Sequence, residues 1–249
     1  MRFRVVSYNI HRAIGVDRSF RPDRVVEILA HHDGDLVLLQ EVDEGVPRSR
    51  EMDLARELAE ALGYPHFAVG HNVSLRKGRY GNATLSRYPI ERERNIDLTI
   101  GRRKRRGCQH TTLTVEKVRG HSHSLEVFNL HLGLSVRERG QQVGLLASSE
   151  EFLNLAPHAA CLVGGDFNDW RSLLVPFFVD ALRFHCASNG HGGPDRRSVR
   201  TYPAFSPRGA LDRIYFRGPL RLVVSRRCRM KVSRVASDHL PIIADFELR

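Results

Sequence analysis

Four short polar islands, each ending an apolar run, hold the residues best suited to chemistry: Ser7-Tyr8-Asn9, Gln40-Glu41, Gly164-Gly165-Asp166-Phe167-Asn168 and Ser237-Asp238-His239. Ala160-Cys161-Leu162-Val163 reads as a buried strand that runs into two glycines, an acid and an amide. Polar groups at the end of a buried strand are costly unless something pairs with or binds them. Side chains at i and i+2 of an extended segment point the same way, so Asp166 and Asn168 are expected to converge on one ligand. Carboxylate and amide oxygens with imidazole suit a hard cation such as Mg²⁺ and a phosphate better than a soft metal.

The other islands extend this reading. Asn9 and Glu41 each close an otherwise apolar strand; together they point to a metal-facing carboxylate, although Glu41 alone would pass as the first exposed residue of a turn. In Leu125-Glu126-Val127-Phe128-Asn129-Leu130-His131, alternation puts Asn129 and His131 on the face of Leu125 and Val127. That face holds either a hydrogen-bonded core pair or a His aimed at a phosphate oxygen. Asp212 starts the strand-like Leu211–Phe216. Asp238 and His239 are adjacent and cannot face one way on a strand, so they belong in a loop. Carboxylates that pair with a His fix its tautomer and raise its pKa, and Asp212 is a candidate for that role.

The elements that must position these residues follow from periodicity. Helices are expected over Arg21–His32, with Pro22 in its first turn, over Met52–Leu62, capped by Gly63, and from a capping box at Ser135-Val136-Arg137-Glu138 towards Leu155. Strands are expected over Phe3–Asn9, Asp35–Glu41, Asn82–Ser86, Gln109–Val115, Leu125–His131, Ala160–Gly165, Leu211–Phe216 and Pro241–Phe246. Helices separate strands in the first half and strands follow one another elsewhere. That mixture predicts an α/β (α+β) fold of two packed mixed β-sheets flanked by helices.

At 249 residues, with 41% hydrophobic residues and no linker or repeat, the chain reads as one domain over 1–249. Cys108, Cys161, Cys186 and Cys228 show no C-x-x-C pair and read as buried thiols in a reducing compartment. With no signal-like start and no stretch approaching a membrane span, a cytoplasmic chain is expected. Lys+Arg 39 against Asp+Glu 28 gives +11, which implies a polyanionic partner. Only Lys77, Lys104, Lys117 and Lys231 are lysines, and so marked an arginine bias also fits a genome-wide compositional preference.

In this order, Asn9, Gln40-Glu41, Asn129-Leu130-His131, Gly165-Asp166-Phe167-Asn168, Leu211-Asp212 and Ser237-Asp238-His239 resemble the endonuclease/exonuclease/phosphatase superfamily with its DNase I-like fold. The resemblance runs from Ser7 to about Phe246. Asn9-Ile10-His11, Gly81–Ile90 and Gly165–Trp170 are similar to its short, single-domain bacterial branch. The resemblance implies a four-layer α/β sandwich with the site at one edge of both sheets. It implies that Glu41, with Asn9 and Asp238, holds one Mg²⁺ (or Mn²⁺), and that Asp166 activates or orients the attacking water. Asn168 would position water or phosphate, His131 and His239 would bind the non-bridging oxygens, and Asp212 would orient His239.

Departures narrow the branch. Abasic-site endonucleases carry Tyr where this chain has His131, so that activity is not expected. DNase I-type enzymes supply a Glu to this His from the segment matching Arg79–Ser86, where this chain offers Asn82. Asn82, Arg106 and Asn129 are further candidates for substrate contact. Two basic runs, Gly101–Gly107 and Arg226–Lys231, are either solvated surface or phosphate contacts. The leading expectation is a Mg²⁺-dependent phosphodiesterase of nuclease type acting on an anionic phosphodiester, nucleic acid first. The alternatives are a phosphomonoesterase or phospholipase-like hydrolase, for which the basic residues would face an anionic membrane, and a binding module without chemistry. Nothing in the sequence points to a protein partner.

Overall fold

Apolar alternation along the strands sorts the side chains to two faces, and the fold follows from burying both. The computed structural model describes residues 1–118, 121–188 and 198–249. Its strands are β1 Arg2–Asn9, β2 Leu36–Glu44, β3 His66–Ser74, β4 Arg79–Ser86, β5 Ile90–Asp97, β6 Gly107–Val118, β7 His121–His131, β8 Ala160–Asp166, β9 His185–Cys186, β10 Asp212–Arg217, β11 Leu220–Arg227 and β12 Ile242–Leu248. The helices are α1 Pro22–His32, α2 Leu54–Leu62, α3 Val136–Ala147, α4 Glu150–Leu153 and α5 Ser233–Ala236.

Two six-stranded sheets form, in the orders β11-β12-β1-β2-β4-β3 and β5-β6-β7-β8-β10-β9. Both are mixed: β1 runs parallel to β2 and β7 parallel to β8, while the other pairs are antiparallel. Val5, Leu36 and Leu38 of the first sheet meet Leu125, Val127, Leu162 and Ile214 of the second between the sheets. The alternate residues Val6, Tyr8, Val37 and Leu39 pack outward on α1 and α2. Phe128, Leu130, Cys161 and Val163 pack outward on α3 and α4. The result is the expected four-layer α/β sandwich. No helix among the described residues is long and apolar enough to cross a membrane.

Two expectations need correction. The long helix from Ser135 towards Leu155 breaks into α3 and α4. The Ser149 hydroxyl donates to the Leu146 carbonyl, closing α3, and accepts from the Phe152 amide, opening α4. The Ser135 hydroxyl caps α3 through the Glu138 amide, but the Glu138 carboxylate pairs with Arg103 at 3.2 Å. Strands β3, β5, β9 and β11 were not anticipated. They are the outermost strands of the two sheets, and β5 is exposed along most of its length. Edge strands bury less and so lack the apolar run that marks a central strand.

Candidate active site

Every polar island lies at the same edge of the sandwich because of strand register. β7, β8 and β10 are neighbours, and His131 sits beside Asp166, which sits beside Asp212. In the other sheet Asn9 sits beside Gln40. The loop before β12 brings in Asp238 and His239, pinned by Ser237: its hydroxyl donates to the Asn9 carbonyl at 2.7 Å and accepts from the His239 amide at 3.1 Å. The site is thus the polar end of the apolar rows that fill the space between the sheets.

Glycine lets the rows end there. Gly165 has φ +138°, and a Cβ on it would stand 1.9 Å from the Leu130 carbonyl oxygen. Only glycine accommodates that approach, which holds β8 against β7 just where the acid emerges. Just below the site a polar network joins the sheets. Gln40 Nε2 donates to Asn129 Oδ1 at 2.8 Å, and Asn129 Nδ2 donates to the carbonyls of Leu39 and Ala83 at 3.1 and 2.9 Å. The pairing of β2 with β4 shifts register between Leu39 and Val42, so these carbonyls need partners outside a regular ladder.

Asp166 is the centre of the arrangement. Its Oδ2 accepts from Asn9 Nδ2 at 3.0 Å and lies 3.5 Å from His131 Nε2 and 3.6 Å from His239 Nε2. Its Oδ1 accepts from the Asn168 amide at 2.9 Å. His239 Nδ1 is 2.9 Å from Asp212 Oδ2, which also accepts from the Thr201 hydroxyl. Asp166, Asp212, His131 and His239 are all buried.

This packing splits the two imidazoles. For His239, burial alone would lower the pKa, but the Asp212 and Asp166 carboxylates and the hydrogen bond to Asp212 outweigh it and raise the imidazole to about 10. For His131, burial, with the cations of Arg106 and His239 close by, drives the pKa well below the ordinary range. His239 is therefore a cation near neutrality and His131 is neutral. Burial also raises the Asp166 carboxyl, to about 6, against the pull of His239.

The metal candidates sit across the mouth. Glu41 occupies the register shift of β2 with φ 58°, a left-handed conformation that turns its side chain out of the ladder. Its Oε2 is buried without a hydrogen-bond partner, 3.4 Å from Arg12 Nε. Asn9 Oδ1 accepts from the His11 amide at 3.0 Å, and Asp238 is half-buried, with the Ser237 hydroxyl 3.4 Å away. A carboxylate oxygen that is buried without a hydrogen bond, among hard oxygens, fits a divalent cation. Asp166, Asp212 and His239 also bring ligating atoms within 4.8 Å of one another. In that group, however, His239 Nδ1 and Asp212 Oδ2 already serve each other.

Other expectations met a different geometry. Asn168 does not extend β8: at φ 51° it turns away, and its amide group donates to the Leu132 carbonyl at 2.9 Å. Its backbone amide, not a parallel side chain, meets Asp166. Asn129 is fully buried and spends both amide hydrogens and its oxygen on the network between the sheets, which makes it a strut and not a substrate contact. Asn82 donates to the Gly107 and Asn129 carbonyls and lines a narrow pocket with Glu41, Arg106 and His131. Arg106 is buried there with its Nε unpartnered. The Arg226–Lys231 run leads away from the site: Arg226, Arg227 and Arg229 line a separate cavity with His31, His32 and Arg200.

Sequence reasoning missed Arg12, which faces Glu41, and Thr201, which bonds Asp212. The left-handed turn that carries Arg12 has no glycine to announce it, and Thr201 stands in a stretch without periodicity.

Residues 6–239 match the model of the Endonuclease/Exonuclease/phosphatase family. The chain is 31% identical to the protein YbhP of Escherichia coli (strain K12), over 99% of this chain and 96% of that one. Its fold is similar to an endonuclease/exonuclease/phosphatase from Beutenbergia cavernae, with a TM-score of 0.79 at 20% identity over 99% of this chain and 72% of that one. It is also similar to the mannosyl-6-phosphatase Bt3783 of Bacteroides thetaiotaomicron, with a TM-score of 0.73 at 16% identity over 99% and 100%. The chain belongs to the endonuclease/exonuclease/phosphatase family.

Proposed function

Starting from that membership, we propose that residues 1–249 form one domain that hydrolyses a phosphodiester by in-line attack of water, with Mg²⁺ or Mn²⁺ as cofactor. The observation that carries this reading is the meeting of three nitrogens, from Asn9, His131 and His239, within 3.0 to 3.6 Å of one buried carboxylate oxygen. Two of the three stand beyond ideal hydrogen-bond length, so they can also turn to phosphate oxygens at the same mouth.

Each side chain then has a task set by its environment. Asp166, raised by burial towards neutrality, accepts the proton of the attacking water or holds that water in line. His239, kept cationic by Asp212, places positive charge where negative charge develops. Asp212 is a positioning residue, fixed in turn by Thr201. Neutral His131 donates one N–H to the phosphoryl group and adds no competing charge. The Asn168 backbone amide holds Asp166 in place. Glu41, with Asn9 and Asp238, would hold the divalent cation, which when bound neutralises charge on the phosphoryl oxygens. Arg106 and Asn82 line the wall beside His131 and meet the next part of the substrate.

The test is hydrolysis of bis(p-nitrophenyl) phosphate and of a panel of DNA, RNA, phospholipids and inositol phosphates, with Mg²⁺ or Mn²⁺ and then with excess EDTA. Turnover that disappears with EDTA and in a folded His239→Ala variant is expected. Turnover that survives both would sink the proposal. The same chemistry serves nucleic-acid and lipid diesters, so the choice between them rests on the surface around the mouth.

A further inference from the structure

Large apolar side chains are not exposed evenly over this molecule. Leu134 is 72% exposed, Val136 55%, Trp170 53%, Leu173 51% and Phe205 67%. Leu134, Trp170, Leu173 and Phe205 stand on loops that leave the strand ends carrying the site, after His131 of β7, after Asp166 of β8 and before Asp212 of β10, and Val136 opens α3 just beyond Leu134. The other exposed large apolar residues among those described, Val16, Leu75, Leu145, Val224 and Val235, are 45% exposed or less, with Leu153 at 68% the exception. Single exposed leucines are ordinary on soluble proteins; a ring of them around one mouth marks an interaction surface.

Cations share the ring. Gly107 of β6 lies at the same edge, because Cys108 pairs with Leu130, so the Arg102–Arg105 run projects beside the site. Exposed Arg76 and Lys77 cap the β3–β4 hairpin at that edge, and Arg171 follows Trp170. Arg102, Arg105 and Arg171 have no carboxylate partner among the described residues. The apolar ridge reaches the chemistry itself: the Trp170 ring meets Tyr202 at 5.3 Å, and Tyr202 meets His239 at 5.0 Å.

The chemistry of this ring selects its partner. Nucleic acid rewards cations and aromatic platforms, but aliphatic Leu134, Val136 and Leu173 have no π-face for a base and no donor for a phosphate. They gain by leaving water for the boundary between lipid headgroups and acyl chains, where tryptophan is also at home and arginines meet anionic phosphates. We propose that the catalytic edge docks on an anionic phospholipid bilayer, with Leu134, Trp170, Leu173 and Phe205 entering the interface and Arg102, Arg105 and Arg171 on the headgroups. The phosphoester taken by the site is then borne by a lipid. That last step rests on the hydrolytic reading above; the docking does not.

Trp170 is the sole tryptophan of the sequence and reports docking directly. Full-length protein, in EDTA so that turnover plays no part, is titrated with vesicles of phosphatidylcholine alone or mixed with phosphatidylglycerol, and with single- and double-stranded DNA. A blue-shifted Trp170 emission and co-flotation with the mixed vesicles only, weakened by salt and about tenfold or more in Leu134→Ser/Phe205→Ser, is the expected result. That double variant should hydrolyse soluble bis(p-nitrophenyl) phosphate as the wild type does, which separates docking from chemistry. Unchanged Trp170 emission, vesicle binding that ignores both substitutions, or tight DNA binding without vesicle binding would each overturn the proposal.

Discussion

The two halves of the candidate site are built differently. In one half, Asp166 and Asp212 of the second sheet and His239 of the loop before β12 each have at least one partner within hydrogen-bond distance, and Asn168 locks Asp166 from its own backbone. Across the mouth, Glu41 Oε2 is buried with no hydrogen bond, and Asp238 has little more than a hydroxyl at 3.4 Å. The first half is preorganised by the protein alone. The second holds a polar cost that a cation relieves. The molecule thus fixes the groups that handle water and phosphate and leaves open the groups that receive the metal.

The largest effect should come from the ordered half. His239→Ala is expected to lower kcat by on the order of 10³-fold, because it removes a fixed charge aimed at the phosphoryl oxygens. Asp212→Asn should cost less, about 10²-fold, and should move the pH profile, since the carboxylate that holds His239 up is gone. A steady-state pH series checks both, and an Asp212→Asn profile like that of the wild type would remove Asp212 from its positioning role.

Glu41→Gln is the converse perturbation. In EDTA its Tm should stay close to that of the wild type, because the charge removed has no hydrogen bond and only a 3.4 Å ion pair with Arg12 to lose. Mg²⁺ should raise the Tm of the wild type and not that of the variant. A variant that still gains Tm with Mg²⁺ would place the cation elsewhere, with the Asp166, Asp212 and His239 group the next location to examine. Beneath both halves, Asn129→Leu should destabilise by about 2 kcal/mol, through the Leu39 and Ala83 carbonyls it leaves buried and unpaired. Chemical denaturation measures this, and a loss within error would mean that water replaces the strut.

The smallest effect is a pH dependence of stability. His239 has a folded pKa of about 10, above the ordinary 6.5. Its ion pair with Asp212 therefore stabilises fully below pH 6.5 and is lost as pH rises towards 10. The Tm difference between wild type and Asp212→Asn should be greatest below pH 6.5 and shrink above it. A difference that grows with pH would reverse the assignment.

The contrast between halves also marks how far the sequence could be read. The central strands announced themselves through apolar runs, and the polar residues at their ends, Asn9, His131, Asp166 and Asp212, came with them. The Asp212–His239 pair was legible in part, because a histidine pairs well with a carboxylate, Asp212 was one candidate, and the family resemblance implied the same role. The edge strands β3, β5, β9 and β11 were not legible, because half-solvated strands such as Ile90–Asp97 carry charge where a core strand carries valine. The turn at Asn168 was hidden as well: a single left-handed residue reverses an i, i+2 argument and leaves no compositional trace. Arg12 escaped for the same reason, since its backbone conformation alone carries it to Glu41.

One titration sets the two halves against each other. The rate of bis(p-nitrophenyl) phosphate hydrolysis is followed against Mg²⁺ concentration for the wild type, Glu41→Gln and Asp166→Asn. The rate at saturating metal should fall by about 10²-fold or more in Asp166→Asn, while Glu41→Gln should chiefly raise the metal concentration that gives half the maximal rate. A full maximal rate in Asp166→Asn, or an unchanged metal requirement in Glu41→Gln, would contradict the division of labour on which this account rests.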